Sequence, residues 1–238
     1  MLRREFELCA ETLQACEAAA AGGADRIELC AALGEGGVTP SRGLIRAVVA
    51  ATALPVHVLV RPRAGGFVYS DAEFAVMCAD VEDALSLGAA GVVVGMLTAS
   101  LAVDVARTRE VVRLAAGRSV TFHRAFDMTA ALDESLRMLM DAGVARVLTS
   151  GGEPNVDAGF AALERLAVFA DGRVRIAAGG GVTLQNAARL AAVPGLDLHA
   201  SLRPKVAAAA GDPLWREGIE PVVSVDAVSA MAAIVHGK

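Results

Sequence analysis

Short runs of aliphatic and β-branched residues alternate along this chain with longer stretches whose apolar residues recur at helical spacing. The runs that read as strands are Glu5–Cys9, Arg26–Cys30, Val56–Arg61, Gly91–Gly95, Ser119–His123, Arg146–Ser150, Val174–Ala178 and Leu196–Ser201. Between them the spacing predicts helices near Glu11–Ala21, Ser41–Thr52, Asp71–Leu87, Asp104–Ala115, Ala130–Ala142, Val156–Phe169 and Thr183–Ala192, with a last one near Val225–Val235. Glycines punctuate the returns, as in Gly23-Ala24-Asp25-Arg26-Ile27 and Gly143-Val144-Ala145-Arg146-Val147, where each stops a helix just before a strand. Strands alternating with helices mean βαβ units and a parallel sheet. Eight such units favour closure into a TIM (β/α)8 barrel, because closure removes both sheet edges. One stretch breaks the rhythm. Arg203–Pro221 holds three prolines, four consecutive alanines and Trp215, so an irregular loop is expected before the final helix.

Length agrees with this reading. The 238 residues lie close to the ~250 typical of such barrels, so residues 1–238 are expected to form a single domain. The chain is 55% hydrophobic with few aromatics, which suits small-residue helices on a sheet buried on both faces. No apolar run reaches the ~18 residues of a membrane span, and the first residues lack the apolar core of a secretory signal. A cytoplasmic location is therefore expected. The net charge of −5, without a basic stripe, argues against nucleic acid as a partner. The four cysteines, Cys9, Cys16, Cys30 and Cys78, are expected to be thiols.

Alternation along the strands carries the candidate chemistry. Side chains at i and i+2 share a face. Phe6 with Leu8, and Ile27 with Leu29, should face the helices. Glu5, Glu7 and Cys9 should then point into the barrel, with Arg26, Glu28 and Cys30. The same parity groups His57 with Leu59 and Arg61, Thr121 with His123, and Asp197 with His199 and Ser201. Barrel interiors are usually filled by branched apolar side chains, so a set of ionisable groups there needs explanation. One explanation is structural: Glu7 and Glu28 neutralised by Arg61 and Arg63. The other is a polar pocket at the C-terminal ends of the strands, where barrels hold their active sites.

Within such a pocket, Glu28 and His123 are the candidate acid–base residues of an enzyme. Glu7, Arg61, Arg63, Ser150, Gly180, Gly181 and His199 are candidates for binding a small anionic or phosphorylated molecule. The Gly179-Gly180-Gly181-Val182-Thr183 turn offers backbone N–H groups for that purpose. Cys9 and Cys30 end adjacent strands at equivalent positions, ~4.8 Å apart across the ladder. Paired thiolates there would suit Cu(I).

Longer strings narrow the choice. Glu7-x-Cys9, Arg26-Ile27-Glu28-Leu29-Cys30, Glu35-Gly36-Gly37-Val38-Thr39-Pro40-Ser41, Arg61-Pro62-Arg63, Phe67-x-Tyr69-Ser70-Asp71 and Thr121-Phe122-His123-Arg124-Ala125-Phe126-Asp127 occur in order. With Gly91–Gly95, Val147–Gly151 and Gly179–Gly181 they resemble the CutC family of copper homeostasis proteins. The resemblance spans about residues 5–201 and stops past His199-x-Ser201. It implies a cytoplasmic barrel, often a homo-oligomer, that handles copper, with Cys9, Cys30, His123 and His199 as metal-binding candidates. Three functions stay open: copper binding, an enzyme acting on a small anion, and a structural or partner-binding role.

Overall fold

The computed structural model describes residues 3–203 and 222–237. The irregular loop expected over 203–221 lies outside the described residues, Arg203 excepted. Eight strands close into a barrel in sequence order: β1 (Phe6–Ala10), β2 (Arg26–Leu29), β3 (Val56–Leu59), β4 (Gly91–Val94), β5 (Ser119–Phe122), β6 (Arg146–Thr149), β7 (Arg175–Ala178) and β8 (Leu196–Ala200). Every pairing is parallel, and β8 returns to β1 with Phe6 opposite Leu198 and Glu7 opposite His199.

A helix follows each strand: α1 (Leu13–Gly22), α2 (Arg42–Ala51), α3 (Asp71–Ser86), α4 (Val105–Leu114), α5 (Leu132–Asp141), α6 (Phe160–Ala170), α7 (Leu184–Ala191) and α8 (Val225–His236). Their starts are chemically marked. Thr12, Ser41, Asp104 and Ser224 each accept an N–H from the first turn, and Ser70 forms a reciprocal capping box with Glu73. The expected elements hold with small shifts. The helix expected from Val156 begins at Phe160 instead, because the Asn155 side chain takes the N–H groups of Asp157 and Ala158 into a turn. β3 ends at Leu59, and the Arg61 N–H bonds to the Thr39 hydroxyl rather than to the ladder. A 3₁₀ turn over Arg124–Met128 follows β5.

Side-chain alternation divides the core in two. Phe6, Leu8, Ile27, Leu29, Val58 and Val92 join the layer between strands and helices. Cys9, Cys30, Leu59 and Val93 form a separate cluster inside the barrel. α8 seals the outside beside α1, burying Val228, Met231 and Val235, with Val228 tight against Gly22.

The N-terminal end of the barrel is closed by charge. Arg146, 1% exposed, bonds through Nη1 to Glu5 and Asp197, at 2.8 Å each. Arg175 holds Asp197 at 2.6 Å, and Arg26 holds Glu7 at 2.5 Å. Asp197 also accepts the Glu5 N–H. Three carboxylates thus meet three guanidiniums, so the buried charges compensate one another. The pairing expected from sequence, Glu7 and Glu28 against Arg61 and Arg63, is not the one formed. Glu7 is taken by Arg26 and by His199 (2.8 Å), while Arg63 reaches outward to Glu73.

Candidate functional site

Above the charged plug the barrel opens into a cavity of about 730 Å³. Cys9, Glu28, Leu59, Arg61, His123, Leu148 and His199 line its depth, all from strand ends or the first residues past them. Gly180, Gly181, Val182, Arg124, Phe67 and Leu202 form its walls. This is the C-terminal face, where (β/α)8 proteins build their sites.

At the deep end the Cys9 and Cys30 sulfurs lie 3.8 Å apart, and the Cys9 thiol approaches Glu28 Oε1 at 3.6 Å. Donor atoms of Cys9, Glu28 and His199 all fall within 4.8 Å of one another, close enough to hold one ion. The Cys9 thiol is held well above its usual pKa, by sharing a hydrogen bond with Cys30, by burial and by the nearby carboxyls. Burial, together with Glu7, also raises the Glu28 carboxyl against the pull of His199. Glu7 behaves oppositely. Burial would raise it, but Arg26, Arg146 and His199 outweigh that and hold it well below the carboxylate range. His199 is raised in turn, because Glu28 and Glu7 overcome its burial. Glu7 is therefore the anion that orients His199, while Cys9 keeps its proton.

His123 sits outside this group. Its Nδ1 accepts the Ala125 N–H at 3.1 Å, which puts the neutral ring's proton on Nε2. Burial, with Arg61 nearby, depresses its pKa to about 3. The ring fits only because β4 is followed by Gly95: a Cβ there would stand 2.2 Å from His123 Cε1. Phe67 leans on the same ring, with centroids 4.9 Å apart, and lies under the Arg61 guanidinium. Arg61, 5% exposed, donates to the carbonyls of Glu35, Gly37 and Gly65. Glu28 Oε2, Arg61 Nε and His123 Nε2 are buried without a hydrogen-bond partner among the described residues. Leaving such an atom unpaired costs about 1–3 kcal/mol.

The remaining sequence candidates spread out. Gly180 and Gly181 do line the mouth. Arg63 does not; it bonds Glu73 and the carbonyls of its own loop. Ser150 is drawn beneath the surface, bonding Asp127, Arg124 and the Glu153 carbonyl. The residues that sequence reasoning passed over are Phe67, Arg124 and Asp127. Asp127 gathers Arg124, Thr149, Ser150 and Gly152, and so carries Arg124 to the cavity edge. The i,i+3 spacing of Arg124 and Asp127 was visible, but the 3₁₀ turn that makes it a pair was not.

A closed parallel barrel with a polar, partly thiol-lined cavity at its C-terminal face defines a (β/α)8 protein. Comparison with known proteins identifies which lineage of barrels it comes from. The chain belongs to the CutC family, whose sequence model matches residues 4–203. A CutC family protein of Chromobacterium violaceum is 47% identical over 205 residues, covering 86% of this chain and 83% of its relative. One from Bacteroides thetaiotaomicron is 43% identical over 210 residues, covering 87% and 84%. A solved CutC structure from Streptococcus agalactiae superposes with a TM-score of 0.78 at 30% identity, covering 83% of this chain and 98% of that one. A 2-keto-3-deoxy-6-phosphogluconate aldolase of Zymomonas mobilis, at 18% identity and a TM-score of 0.58, shares the barrel alone.

Proposed function

We propose that this protein handles copper in the cytoplasm, taking Cu(I) as cargo at the deep end of the barrel mouth. The observation that carries this reading is the Cys9–Cys30 pair, 3.8 Å apart, with Glu28 and His199 beside Cys9. Soft sulfur donors select Cu(I) over harder ions. His199 is better disposed to join the thiols than His123, because it shares with Cys9 and Glu28 a group of donor atoms within 4.8 Å of one another. No helix among the described residues is long and apolar enough to cross a membrane.

Cu(I) binding must displace the proton that Cys9 otherwise holds. Affinity should therefore rise with pH. The test is an anaerobic Cu(I) titration of reduced protein against a competing chelator, beside a Cys9→Ser/Cys30→Ser variant. The reading expects about one tight equivalent, lost in the variant. Equal stoichiometry and affinity in both proteins would overturn it.

A further inference from the structure

Arg61 is a buried guanidinium whose hydrogen-bond partners are all neutral carbonyls. Among the described residues no carboxylate lies within ion-pair distance of it. The contrast with the plug is sharp, since Arg26, Arg146 and Arg175 each hold carboxylates. A buried charge without a counter-charge is costly. Arg61 also lines the cavity, so its charge is within reach of an anion that enters the mouth.

The surroundings of that place are polar. His123, neutral and carrying its proton on Nε2, lines the same cavity and has no partner at that atom among the described residues. Glu28, whose Oε2 is likewise unpartnered, faces it as well. On the opposite wall stand Gly180 and Gly181, with φ of 97° and 88°, just before the N-terminus of α7. Arg124 packs against Gly180 so closely that a Cβ there would stand 2.8 Å from its guanidinium. A single copper ion needs none of this, and a volume of about 730 Å³ is that of a small-molecule pocket.

We propose that the mouth is a binding site for a small organic oxyanion. Its charge is neutralised by Arg61 on one side, and its far end is held by Arg124 and the N–H groups of Gly180 and Gly181. The site stands apart from the copper reading, since neither arginine is among the candidate ion-holding groups. Phosphate monoesters and carboxylates share the required chemistry, and the experiment distinguishes them.

The experiment uses reduced, full-length, ¹⁵N-labelled protein titrated with glycerol phosphate, with tartrate, and with glycerol plus matching sodium chloride. The expected result is a saturable shift of the Gly180 and Gly181 amide signals with one or both anions and none with the neutral control. The anion that saturates at lower concentration names the class. Calorimetry should then find affinity weakened about tenfold or more in Arg61→Gln and Arg124→Gln. Amide signals that stay fixed with both anions would overturn the proposal, whatever the variants do. So would equal affinity in a folded Arg61→Gln protein, with folding judged by a dispersed amide spectrum that matches the parent's.

Discussion

Gly95 is the residue on which the position of His123 depends. Any side chain there enters the imidazole at 2.2 Å. Gly95→Ala should therefore displace the ring or strain the barrel, costing about 1–3 kcal/mol in a denaturant titration. A variant as stable as the parent would mean that the ring moves freely. His57 and His123 set a second expectation. Burial, aided by Arg26 at His57 and by Arg61 at His123, lowers both to about 3. In the unfolded chain each takes its proton near about 6.5. Between those limits the unfolded state holds more protons. Stability present above about pH 6.5 is thus lost as pH falls toward about 3, at up to ~1.4 kcal/mol per pH unit for each ring. His199, raised rather than lowered, contributes in the opposite sense: its part is present at low pH and lost as pH rises. Ring-proton NMR should find His57 untitrated from about pH 7 to about pH 5. A native midpoint near the unfolded value would refute the burial argument. Alternation alone told which of these side chains point inward. It could not tell that Arg61 would bond carbonyls of the loop after β2, because that contact depends on how two loops meet.

At the scale of elements, β8 and β1 show how a strand can be both wall and stopper. Asp197 on β8 accepts the Glu5 N–H and pairs with Arg146 and Arg175. Asp197→Ala would leave those cations short of a partner in a buried place, at about 3–5 kcal/mol. Thermal unfolding of the variant checks this, and a loss under about 1 kcal/mol would mean that water reaches the plug. The strands were legible in the sequence because their apolar runs are short, regular and bounded by glycine. The start of α6 was not, since Val156 continues the helical spacing while the Asn155 side chain captures the backbone just beyond it. The position of Arg124 was hidden for a similar reason: a 3₁₀ turn has no hydrophobic period to read.

Across the whole molecule, the family match ends at residue 203, yet the outer shell is completed by α8 at 225–236. Met231 is fully buried there. Met231→Ala should cost about 2–5 kcal/mol, as for a core residue, despite its place near the end of the chain. A near-neutral result in a denaturant titration would show that α8 is dispensable to the barrel. The charged end and the open end also differ: one pairs its buried guanidiniums with carboxylates, while at the other Arg61 meets only carbonyls among the described residues.

The pairing of Phe6 with Leu198 also sets a schedule. The first strand is made early, but its second neighbour arrives only after ~190 further residues, on the order of 10–40 s at ribosomal speed. Throughout that interval β1 offers an open row of N–H and C=O groups to any passing chain. The closed ring that leaves the mature protein without an edge thus makes its nascent form edge-exposed for longest. Slower translation of the second half should lower soluble yield, even though the finished barrel would be the same.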